Sequence, residues 1–152
     1  MTRKRIPKRV KQRVRERAAE HCEYCVCWEL YATELFSLEH IIALAAGGNN
    51  DESNLALACQ GCNSNKHDHI RATDPLTGKT VPLYHPRRDN WHEHFEWNHD
   101  YTLLIGLTPT GRATVEALEL NREGVVNLRQ MVSLGGKHPP PHRTTTKDKR
   151  AS

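Results

Sequence analysis

No part of this chain is apolar for long. The longest such run, residues 41–46, falls far short of the roughly 20 residues that a membrane-spanning helix needs. No spanning helix is therefore expected from this sequence. The opening stretch, MTRKRIPKRVKQRVRER, has no apolar centre, so it is expected not to be a secretory signal. Apolar and aromatic residues are also scarce, at 37% and 6% of 152 residues. That is lean material for one domain, and such chains gain from a metal staple. No internal repeat stands out.

Cysteine, in contrast, is present and ordered. Four of the five fall in two Cys-x-x-Cys pairs, Cys22/Cys25 and Cys59/Cys62, with 33 residues between them. Each such pair forms a tight knuckle presenting two thiolates to one side. Two knuckles complete a tetrahedral four-sulfur site with no open position, which suits a structural Zn²⁺. Disulfides or buried free thiols are the alternative. Disulfides belong to oxidising compartments, and the expected setting here is the reducing cytoplasm. Cys27 is the fifth. Its spacing is poorer than that of Cys25, so a packed thiol is its expected role.

Charge is unevenly spread behind a net +4. Residues 1–17 carry +8, residues 136–152 carry +4, and residues 18–135 carry −8. Basic arms around an acidic centre suit a polyanionic partner, although terminal charge runs are often only solvated. Residues 1–6 read as a flexible arm. From Pro7 the chain favours helix, with Val10, Val14 and Ala18 forming a narrow apolar stripe and Arg9 and Arg13 among the basic faces. A helix of this kind would contact phosphates.

Residues 33–40 read as a strand, ending in Glu39 and His40. Residues 45–50 are a turn cluster, residues 51–57 return to the second knuckle, and residues 62–68 read as a short helix. Residues 79–83 look like an edge strand because of Pro82, and residues 101–107 read as an apolar β run. Trp91, Phe95 and Trp97 centre the second half. Residues 108–111 read as a turn, and residues 114–120 fit helix or strand. Residues 121–134 read as a closing helix with Val125, Val126, Leu128, Met131 and Val132 toward the core. Residues 136–152 read as a disordered basic tail. The expectation is a single domain over 7–135, with a core at 22–68 and an extension at 72–134.

Between the knuckles the order is Glu39-His40-Ile-Ile, Gly47-Gly48, Asn54-Leu55, then Cys62-Asn63 with Lys66. This order resembles the HNH endonucleases, the ββα-metal nucleases, of the four-cysteine, stand-alone bacterial or phage type. The family usually has Asp-His at the first position and often His at the last, so this chain looks like an H-N-N variant. The resemblance implies an α+β fold: a zinc-braced ββα-metal core, a basic N-terminal helix, and a β-rich C-terminal extension ending in a helix.

It also implies a metal-dependent hydrolysis of DNA phosphodiester bonds, with double-stranded DNA as the expected partner. His40 would be the general base, since histidine titrates near neutrality. Glu39 and Asn63 would hold Mg²⁺ or Mn²⁺ through oxygen. Asn54 would fix the loop that holds His40. Lys66 would touch phosphate, with Arg9, Arg13 and Arg87 as further nucleic-acid contacts. His67 and His69 adjoin the Asn63 helix, and His92, His94 and His99 form a second cluster whose expected fate is ordinary. The rival is a non-catalytic zinc module that binds nucleic acid, which needs no second metal.

Overall fold

The computed structural model describes residues 5–144. Helix α1 (Lys8–Arg17) follows Pro7 and buries Val14, with Val10 partly covered and Ala18 just beyond its end. The narrow stripe is thus the face that packs, and it lies on β2. The chain reverses through left-handed Ala19 and Glu20 into the first knuckle.

Strands β1 (Ser37–His40) and β2 (Leu55–Ala58) pair antiparallel, from Ser37 opposite Ala58 to His40 opposite Leu55. All four β2 residues are buried. Both faces of that strand are covered, which explains its unbroken LALA sequence. Helix α2 (Gln60–Lys66) follows at once, its first turn capped by the Cys59 sulfur accepting from the Cys62 amide at 3.4 Å. The expected strand over 33–40 is shorter than the sequence suggested. Its partner stops at Ala58, so residues 33–36 have nothing to pair with, and Leu35 is 75% exposed.

The extension departs from the β-rich reading. It holds two hairpins: β3 (Arg71–Thr73) with β4 (Thr80–Pro82), and β5 (Phe95–Trp97) with β6 (Leu104–Gly106). Helical residues outnumber strand residues, however, in α3 (Trp91–His94), α4 (Pro109–Leu118) and α5 (Glu123–Leu134). The stretch at 108–111, read as a turn, is the start of α4. The Thr108 hydroxyl accepts from the Gly111 amide at 3.0 Å and Pro109 occupies the first turn, both helix-starting devices. α4 lies so close to β6 that a Cβ on Gly106 would sit 2.4 Å from the Arg112 amide nitrogen.

α5 packs through Val125, Arg129 and Val132, spaced for one helix face. Met131 points away and is 67% exposed, so its place among the core residues is corrected. In its stead Arg129 is buried. Its guanidinium donates to the carbonyls of Thr102 (2.7 Å), Leu120 (2.8 Å) and Cys25 (2.9 Å) and to Asn121 Oδ1 (3.0 Å), and it lies 5.1 Å from the Trp97 ring centre.

Residues 136–144 of the expected tail pack against the extension. Trp97 Nε1 donates to the Arg143 carbonyl at 2.6 Å, His138 Nε2 donates to the Tyr101 carbonyl at 2.7 Å, and the Arg143 guanidinium stacks 5.5 Å from the Trp91 ring centre. A proline-rich strap has few donors of its own to satisfy, and the aromatic platform of the extension supplies the contacts. Residues 1–4 of the expected arm and 145–152 of the expected tail lie outside the described residues. Among the described residues no helix is long and apolar enough to cross a membrane.

Candidate zinc centre and active site

The sulfurs of Cys22, Cys25, Cys59 and Cys62 all lie within 4.8 Å of one another. Cys25 Sγ and Cys59 Sγ are 3.7 Å apart, far beyond a disulfide bond. That spacing matches the edge of a tetrahedron whose zinc–sulfur bonds are about 2.3 Å. In each knuckle a backbone amide aims at a sulfur: Cys25 N at Cys22 Sγ, 3.5 Å, and Cys62 N at Cys59 Sγ, 3.4 Å. The donor set and its geometry fit Zn²⁺. Cys27 lies outside the group, buried, with its carbonyl accepting from the Cys22 amide at 2.8 Å.

Sequence reading missed a fifth participant. Arg122 reaches back from between α4 and α5 and donates to Cys59 Sγ (3.4 Å) and Cys62 Sγ (3.6 Å). A four-thiolate zinc centre is a dianion, so a guanidinium beside it offsets charge. Gly61 makes the approach possible, since a Cβ there would meet the guanidinium at 2.5 Å. Sixty residues of separation leave no local signal for this pairing.

β1 delivers Glu39 and His40 to a cavity of about 320 Å³ that Asn63, His67 and Asp68 of the α2 region also line. His40 Nε2 lies 2.7 Å from Asn50 Oδ1. An amide oxygen only accepts, so Nε2 is the donor of this bond. Asn54 is buried and pins the intervening loop. Its Oδ1 accepts from the Ile42 amide at 2.8 Å, and its Nδ2 donates to the carbonyls of Ile42 (3.0 Å) and Asn49 (2.8 Å). Gly48 lies against that loop, where a Cβ would clash with the Ile42 carbonyl.

Glu39 is buried and gripped at both oxygens. Tyr24 donates its hydroxyl to Oε2 at 2.7 Å, and Lys66 Nζ forms an ion pair with Oε1. Burial pushes the Glu39 carboxyl up, opposed by the Lys66 ammonium and the two hydrogen bonds. Burial pushes the Tyr24 phenol up as well, aided by the Glu39 charge.

Lys66, expected at phosphate, is turned inward. It is 1% exposed, and besides Glu39 it donates to the carbonyls of Ile41 (2.9 Å) and His40 (3.2 Å). Arg87 is likewise turned inward, onto buried Glu23. Arg13 binds Glu52 through both carboxylate oxygens at 3.0 and 3.1 Å. Arg9 alone of the four expected contacts is exposed without such a partner among the described residues, beside exposed Lys8 and Lys11. The sequence could not show which basic residues are spent inside, because their partners lie tens of residues away. His94 binds the Thr108 hydroxyl at 2.6 Å, away from the cavity, while His69 is exposed near His67.

No curated protein and no solved structure matches the chain. A family model described as HNH endonuclease matches residues 22–69, roughly a third of the chain. The match begins at the first zinc knuckle and ends just past α2, so it takes in the knuckles, the hairpin and the cavity-lining helix together, and residues 22–69 form an HNH endonuclease domain.

Proposed function

We propose that this protein is a metal-dependent endonuclease that hydrolyses DNA phosphodiester bonds. The observation that carries the reading is the single cavity shared by Glu39, His40 and Asn63, beneath a loop pinned by Asn54. In this reading β1, β2 and α2 are the ββα-metal core. His40 Nδ1 accepts a proton from the attacking water, while Asn50 holds the ring through Nε2. Asn54 positions that loop and does not touch substrate.

The carboxylate of Glu39 and the amide oxygen of Asn63 are hard donors that suit Mg²⁺ or Mn²⁺. Such an ion, when bound, stabilises charge on the phosphate and the departing oxygen. Lys66 has two carbonyl acceptors besides Glu39, so its charge stays satisfied when a cation shares the carboxylate. Exposed Lys8, Arg9 and Lys11 supply salt-dependent contacts to the DNA backbone.

The Lys66–Glu39 pair favours one rival, a zinc module that binds nucleic acid without cutting it, because that pairing already neutralises the carboxylate. Supercoiled plasmid separates the two. Purified protein should nick or linearise it with Mg²⁺ or Mn²⁺ and not with EDTA. His40→Ala should lose about 100-fold or more of the rate, the usual worth of a general base. Retention of plasmid and bound zinc without cleavage under any metal would establish the rival.

A further inference from the structure

The first zinc knuckle does more than hold sulfur. Its two inner residues, Glu23 and Tyr24, each reach a different strand of the hairpin that carries the site. The Glu23 amide donates to the Leu57 carbonyl and its Oε2 accepts from the Leu57 amide, both at 2.8 Å. Tyr24 reaches β1 and donates to Glu39 Oε2 at 2.7 Å. All three side chains are at least nine-tenths buried, so these bonds are shielded from water and well ordered.

From this we infer that Tyr24 is a positioning residue for the carboxylate of the proposed metal site, so that the zinc knuckle sets how well Glu39 receives the second cation. The inference rests on the nuclease reading. A carboxylate held at one oxygen keeps a fixed orientation toward the cavity it lines, and without that bond Glu39 is left to follow Lys66 alone. Glutamate has one more rotatable bond than aspartate. An outer partner is thus of more consequence here than for a shorter acid. Partners of this kind commonly contribute 10- to 100-fold to metal affinity.

The backbone around Tyr24 supports the same role. The Val26 amide donates to the Cys22 carbonyl at 3.0 Å, and the Cys22 amide to the Cys27 carbonyl at 2.8 Å. With the cysteines joined through zinc, the tyrosine starts from a rigid turn. A packing role alone would need the ring and not the hydroxyl.

The test is Mn²⁺ binding followed by electron paramagnetic resonance on zinc-loaded His40→Ala protein, with and without Tyr24→Phe. The expected result is a Mn²⁺ affinity about tenfold weaker with Tyr24→Phe, at unchanged zinc content. As a second probe, 3-fluorotyrosine in place of Tyr24 keeps ring and hydroxyl and changes donor strength, and should shift the affinity about twofold. Equal affinity across all forms would overturn the inference while leaving the nuclease reading intact. Absence of any Mn²⁺ site in the His40→Ala protein with Tyr24 present would overturn both.

Discussion

The domain at 22–69 and the extension after it both contribute to the apolar core, and each is fastened differently. The domain uses points: four sulfurs, the pinned loop at Asn54, and the buried Lys66–Glu39 pair. The extension uses surfaces: Tyr84, Trp91, Phe95 and Trp97 in mutual ring contact, with Arg129 filling the gap toward the first knuckle. Arg122 and Arg129 then tie the two together, one at the sulfurs and the other at the Cys25 carbonyl. A point-fastened domain depends on a few bonds, whereas an aromatic surface loses stability gradually. The cavity sits in the former.

Zinc removal should break the comparison most severely. Structural zinc contributes roughly 10–16 kcal/mol in small zinc domains. A strong chelator should therefore abolish hydrogen-exchange protection over 22–66 while 95–132 keeps part of its own. Loss of both at the same chelator concentration would show that the extension has no stability apart from the metal.

The two buried cations sharpen the contrast. Lys66→Met leaves an unpaired buried carboxylate and should cost about 3–5 kcal/mol. Arg129→Met leaves only neutral acceptors without donors and should cost about 2–3 kcal/mol. Urea denaturation of the two variants ranks them, and the reverse order would mean that Glu39 finds water or another partner when Lys66 is gone.

The smallest effect concerns the strap at 136–144. Burial pushes the His138 imidazole down to about 4, against the pull of the Tyr101 carbonyl. The unfolded ring titrates near 6.5. Below that pH the unfolded chain takes up a proton that the folded strap refuses, so strap stability falls as pH drops from about 6.5 to 4 and levels off beneath. Trp97, 4.7 Å from the His138 ring, reports the change by fluorescence. A flat signal from pH 7 to 4 would disprove it, as would a pH response that persists unchanged in His138→Gln.

What the sequence determined by itself was short in range. Cys-x-x-Cys spacing, the apolar stripe of α1, the LALA run and the place of Glu39, His40, Asn54 and Asn63 within one motif were all legible, because each rests on neighbours in the chain or on repeat spacing. Tertiary structure decided which charges are available and which are consumed. Lys66, Arg87, Arg122 and Arg129 look alike as letters, yet each is assigned by a partner across the fold: Glu39, Glu23, the Cys59 and Cys62 sulfurs and the Cys25 carbonyl. The packed strap and the exposed Met131 follow the same rule. Burial and pairing depend on which surfaces meet, and only the assembled chain sets that.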